Sequence, residues 1–169
     1  MRLPWKHRES AWLGAGAGLI GGLAGSFAIG GFHHLWAKAT HTDRLEKKGT
    51  ESTTKAANML SRHVLGRELS REVEPKAASA VHFAFGSLVG AAYGAAASRD
   101  SHVSRSFGLP FGFSVYSGAH ATAVPALGLS EPPTKAPLTD EIGELLGHLV
   151  YGIVTDVTRR VVIRAARAI

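Results

Sequence analysis

Charge is absent from three long stretches of this chain, Ser10 to Ala37, Ala77 to Ser98 and Ser106 to Ser130, and is crowded into the segments between them. A helix needs roughly 20 mainly apolar residues to cross a hydrocarbon core about 30 Å thick, and each stretch is long enough. The pattern predicts an all-α membrane protein, a single membrane domain over residues 1–169. Basic residues flank the apolar blocks: Arg2, Lys6 and Arg8 before the first, Arg99 and Arg105 between the second and third, and Arg159, Arg160, Arg164 and Arg167 at the end. Anchoring and orientation account for this placement, and so for the formal charge of +6. The expected partner is the lipid bilayer, not nucleic acid. With no cysteine, disulfides and thiolate chemistry are excluded.

Segment one, 11–36, begins and ends near Trp12 and Trp36, rings suited to the two headgroup layers. Gly14, Gly18 and Gly22 recur there every four residues. Gly86, Gly90 and Gly94 repeat the spacing in segment two, 77–98, and Gly108 and Gly112 do so in segment three, 107–129. In water such glycine density argues against a helix; in lipid it lets a neighbouring helix approach closely. A fourth span over 142–162 carries Gly143 and Gly147. It requires Glu144 to face the interior and Arg159 and Arg160 to snorkel to the surface. The competing reading is three spans and an interfacial C-terminal helix. The expected fold is a bundle of four transmembrane helices with glycine-zipper packing, in which Pro125 bends or ends the third helix.

The polar loop 38–76 is long for a structureless connection. Ala57, Leu60, Val64, Leu65, Leu69 and Val73 form an apolar stripe that predicts an amphipathic helix over 52–74, capped by Ser52 or Thr53. Residues 131–139, with Pro132, Pro133 and Pro137, form a stiff turn. Four spans put both termini on one side, and the basic residues of the short loops assign that side to the cytoplasm.

Every span carries a histidine: His33 and His34, His82, His120 and His148. At about 1.5 Å per residue, all five fall towards the non-cytoplasmic side: His33 and His34 near that end of their helix, where the alternative is that they sit among headgroups, and His82, His120 and His148 at similar depths further in. Glu144 shares a helix face with His148, four residues on. A polar cluster of His82, His120, Glu144 and His148 is the candidate site, since ionisable groups inside a membrane mark function by default. The alternative is that each histidine bonds a carbonyl or hydroxyl of the next helix and does nothing more. No nucleophile elbow, phosphate loop or HExxH motif is present, and no enzyme activity is expected.

The run Asp140 to Tyr151, continuing to Thr158-Arg159-Arg160, resembles the C-terminal signature of the YagU-like bacterial inner-membrane proteins, as does His120 to Leu129 with Pro132-Pro133 behind it. The resemblance covers about half of the chain. It implies a multi-pass protein of the bacterial inner membrane, singles out His82, His120, Pro125, Glu144, Gly147 and His148, and supplies no chemistry. The leading expectation is a non-enzymatic protein without a resident cofactor that helps the envelope tolerate acid stress, its outward-facing histidines titrating as external pH falls. The alternatives are a subunit binding haem or a metal through His82, His120 and His148, and a small transporter or channel. A second copy of the chain or another membrane protein is a further expected partner.

Overall fold

The computed structural model describes residues 10–168, so Arg2, Lys6 and Arg8 lie outside the described residues. It is all helical, with no strand among the described residues. The order is α1 (Ala11–Thr40), α2 (Arg44–Leu65), α3 (Glu74–Arg99), the short α4 (Leu109–Val115) continuing through a π-helical turn (Tyr116–Ala123) into α5 (Val124–Ala126), and α6 (Leu138–Arg167). The Ser10 hydroxyl caps α1 by accepting from the Leu13 amide at 3.1 Å. At 1.5 Å per residue, α1, α3 and α6 are each about 39–45 Å long.

Helix α1 packs against both α3 and α6, and α4 packs against α6 with its Phe111 stacked on Tyr93 of α3. Backbone meets backbone where α1 crosses α3. A Cβ on Gly18 would collide with the Gly90 carbonyl oxygen, one on Gly22 with that of Gly86, and one on Gly94 with that of Gly14. Gly21 and Gly25 face Thr155 and Tyr151 of α6, while Gly108 and Gly112 lie against the backbone of Gly152 and His148. Gly143 and Gly147 instead make room for side chains, Trp36 with Leu45 and His33 with Ile29. Gly108 (φ 79°) closes a turn in which Ser106 and Phe107 are also left-handed, and only a residue without Cβ can lie there against the Gly152 carbonyl.

Interior and exterior are reversed relative to a water-soluble fold. The buried positions of α1 are six glycines or alanines out to Gly25, then Ser26 and Ile29, and those of α6 include Asp140, Glu144, Thr155, Asp156 and Arg159. The large apolar side chains point outward: Phe27 is 63% exposed, Leu88 66% and Val161 57%. α1 and α3 are the two helices long and apolar enough to cross a membrane. Only 44% and 28% of their most apolar stretches are buried, unlike the core helix of a soluble protein. α6 has the length for a span, but its charges keep it out of that class.

Three expectations need correction. The helix drawn over 52–74 lies over Arg44–Leu65. It ends where Gly66 turns left-handed and Asn58 folds the chain back, accepting from the Leu69 amide at 2.9 Å and donating to Glu74 at 2.7 Å. Leu69 and Val73 therefore fall beyond it, and Ser52 and Thr53 do not cap it but bond back to the Lys48 and Gly49 carbonyls within it. Segment three is helical only over Leu109–Ala126 and is not α-helical throughout: a π turn, with the Val124 amide bonded to the Ala119 carbonyl, precedes Pro125, and the helix ends one residue after it. Arg159 does not snorkel outward; it is buried against Asp156. His33 faces Gly147 of α6.

Helix α2 closes one end of the structure. Leu45, buried, packs over Gly143, and two ion pairs latch it to the start of α6: Arg44 to Asp140 at 3.1 Å and Lys48 to Glu141 at 2.9 Å. Burial opposes ionisation of Glu141, but the Lys48 ammonium outweighs it and holds the carboxyl below its ordinary range. A carboxylate held low contributes stability above its unfolded pKa and loses it as pH falls through the lowered folded value. The latch should therefore hold across the neutral range and open only in acid, as pH falls through the lowered value of Glu141. In Lys48→Met, amide exchange over the first turns of α2 should rise about tenfold at neutral pH, corresponding to about 1.4 kcal/mol; unchanged protection would remove the latch.

The glycine contacts carry a second expectation. Gly90→Ala should destabilise the protein by about 1–3 kcal/mol through overpacking, whereas Gly16→Ala, where nothing lies within 4 Å, should be neutral or stabilising by up to about 1 kcal/mol. Unfolding in detergent compares the two, and equal effects would contradict the backbone contact.

Candidate functional site

Three elements bring imidazoles to one carboxylate. Glu144 is 4% exposed, on the inward stripe of α6 four residues before His148. One of its oxygens, Oε2, lies 3.6 Å from His33 Nε2 of α1, 3.7 Å from His120 Nδ1 of the π turn and 3.9 Å from His148 Nδ1. These spacings are longer than hydrogen bonds, and they leave the carboxylate held by charge and dipoles. His148 Nδ1 donates to the Glu144 carbonyl oxygen at 2.8 Å, which leaves its Nε2 as the nitrogen free to take a proton.

A second layer joins this centre to the latch. His120 Nε2 lies 3.4 Å from Glu141, which also accepts from the Tyr116 hydroxyl at 3.2 Å and pairs with Lys48. Tyr116 stacks on His120 with ring centroids 5.4 Å apart and stands edge-on to His148 at 5.8 Å. Tyr116 and His120, four residues apart on the π turn, share the face towards α6.

Of the four residues expected to cluster, His120, Glu144 and His148 come together. His82 stands apart, its Nε2 3.2 Å from the Ser26 carbonyl across the α1–α3 contact. Among the described residues no group of three or more His, Asp or Glu is arranged to hold a metal ion. His33, Glu141 and Lys48 were not among the residues expected to cluster. The signal for His33 was available, since it continues the inward row Gly25, Ile29 at a spacing of four. The participation of Lys48 carried no signal, because it depends on where α2 lies.

A separate polar group lies three turns further along α6. Asp156, fully buried, accepts from Arg159 Nε at 3.3 Å and Arg160 Nε at 2.7 Å. Arg160 also reaches the Ser104 carbonyl and covers the Phe107 ring, and Arg159 lies over Tyr93. Between the two groups, Phe111 stacks on Tyr93 at 4.1 Å and touches Tyr151, whose hydroxyl donates to the Gly86 carbonyl at 2.7 Å. Tyr151 is buried, while Phe85 points outward.

Comparison with curated proteins and with solved structures found no match. One family model matches residues 62–157, a stretch that contains His82, His120, Glu141, Glu144, His148 and Asp156. The match spans more than half of the chain, and the protein belongs to this family, described as a protein of unknown function, DUF1440.

Proposed function

We propose that this chain is a multi-pass protein of the bacterial inner membrane, YagU-like, in which four glycine-zippered helices hold a proton-binding centre that changes helix packing under acid. The reversed polarity supports the membrane reading: large apolar side chains face outward while an ionisable carboxylate is buried among small residues. In lipid that exterior is solvated and the bare glycine faces associate. Charged helix α6 is carried inside, its polar stripe turned to α1 and α4.

The observation that carries the function is the position of three imidazole nitrogens 3.6–3.9 Å from one Glu144 oxygen. The first proton taken by an imidazole is balanced by the carboxylate. The second is not. Two imidazolium rings at the His120–His148 separation of 5.5 Å repel by about 3 kcal/mol at an effective dielectric of 20, comparable to what holds two helices together. The surrounding groups are His33 and His82 from α1 and α3, Lys48 and Arg44 from α2, Tyr116 from the π turn, and Asp140 and Glu141 from α6. Acid is then the signal, and envelope acid tolerance is the role it suits. The reading needs no bound cofactor and no enzymatic step.

Titration of the protein in lipid nanodiscs tests this. The infrared carbonyl band of protonated Glu144, identified by its loss in Glu144→Gln, should appear on acidification together with increased amide exchange at α4 and the π turn. In the His120→Gln/His148→Gln double variant the exchange response should be lost. A response that persists in the double variant would sink the proposal.

A further inference from the structure

The charge-free run of α1 closes at Ala37, and Lys38 follows it. At about 45 Å this helix outreaches a hydrocarbon core of about 30 Å, so on the membrane reading above its last turns stand at the headgroup level. There the chain turns back. His41 is left-handed (φ 52°), its amide bonded to the Ala37 carbonyl, and α2 begins at Arg44. Between the end of α1 and the start of α2 lies an open hollow of about 650 Å³, within the range of about 300–1,000 Å³ usual for small-molecule sites.

Both signs of charge line this hollow: His34, Lys38 and His41 on one side, Asp43 and Glu46 on the other, with Thr42 between. Glu46 engages His34 through Oε1 at 3.0 Å, and Asp43 engages Lys47 through Oδ2 at 2.8 Å, so each pair occupies a single carboxylate oxygen. Among the described residues nothing pairs with the Lys38 ammonium or the His41 ring. Beneath the hollow one helical row descends from Lys38 through His34, Gly31 and Gly30 to Phe27. Gly18 and Gly22 of the same helix are met by α3, but a Cβ on Gly30 or Gly31 would meet nothing within 4 Å. Phe27, exposed, ends the row with its ring 4.5 Å from that of Phe83. A hollow of mixed charge thus stands over a bare apolar trough, both along one face of α1.

We propose that the hollow holds the headgroup of a phospholipid bearing a primary ammonium, with an acyl chain laid over Gly31, Gly30 and Phe27. The phosphate lies between Lys38 and His41, whose N–H groups donate to it. The ammonium lies at the Glu46 and Asp43 carboxylates. Its three N–H donors distinguish it from a quaternary choline, which has none to give, and a glycerol headgroup would bring those carboxylates no cation at all. The order of parts matches a phospholipid: polar group at the helix end, apolar chain along the charge-free run. The inference rests on the membrane reading and adds a ligand that the proton-binding centre does not require.

Native mass spectrometry of the full chain in detergent, titrated with phosphatidylethanolamine, phosphatidylcholine, phosphatidylglycerol or inorganic phosphate, tests this. Phosphatidylethanolamine should bind one to one and about tenfold more tightly than either other lipid. Lys38→Gln with His41→Gln, both at exposed positions, should weaken it by about tenfold, and Glu46→Gln should erase the preference over phosphatidylcholine. Gly31→Leu fills the trough without touching the protein and should weaken the lipid alone. Equal binding of the three lipids would overturn the proposal. So would phosphatidylethanolamine that is displaced by inorganic phosphate and indifferent to Gly31→Leu, since the site would then take free phosphate. A chain that sediments with membranes yet retains none of these lipids refutes the headgroup site and leaves the membrane reading standing; folded chain in the aqueous fraction removes both.

Discussion

Helix α1 touches its neighbours with its backbone. Along its inner side Gly14, Gly18 and Gly22 meet Gly94, Gly90 and Gly86 of α3, and Gly21 and Gly25 meet α6, so three long helices lie closer than side chains would allow. The consequence is that almost no aliphatic volume is left inside. Stability must come from close van der Waals contact over bare backbone, and the interior is free to hold groups that an aliphatic core would exclude. The buried carboxylates and guanidiniums of α6 exist because α1 brings no bulk to compete with them.

The polar interior is arranged in two unequal parts. Around Asp156 the charges are paired at hydrogen-bonding distance, 2.7–3.3 Å, which is how a buried charge is tolerated: removing a partner leaves an uncompensated ion. Around Glu144 no imidazole comes within hydrogen-bonding distance of the carboxylate. The first part reads as structure, a clamp that ties α6 to the turn before α4 through Ser104 and Phe107. The second is loose enough to respond, and it sits beneath α2, whose position is set by Arg44, Leu45 and Lys48. Rigidity at one end and slack at the other is the combination that a proton-driven change in packing needs.

The conversion of segment three from one helix into α4, a π turn and α5 connects sequence to site. The register widens by one residue over Tyr116–Ala123, ahead of Pro125, and Gly112, Tyr116 and His120, spaced by four, all meet α6.

Much of the architecture was legible in the sequence because charge-free blocks and four-residue glycine repeats are local patterns. They gave α1 and α3 within a few residues and named His120, Glu144 and His148. The boundary of α2 was misread because an apolar stripe cannot reveal that Asn58 folds the chain back after Gly66. His33, Glu141 and Lys48 were not among the residues expected to cluster, and Arg159 was put on the wrong side of its helix. The sequence alone determined which segments are helical and which of their faces are bare, since both follow from spacing along one chain. Tertiary structure alone decided which side chains meet at Glu144, because distances between separate helices depend on their rotation and rise relative to one another, which no single segment encodes.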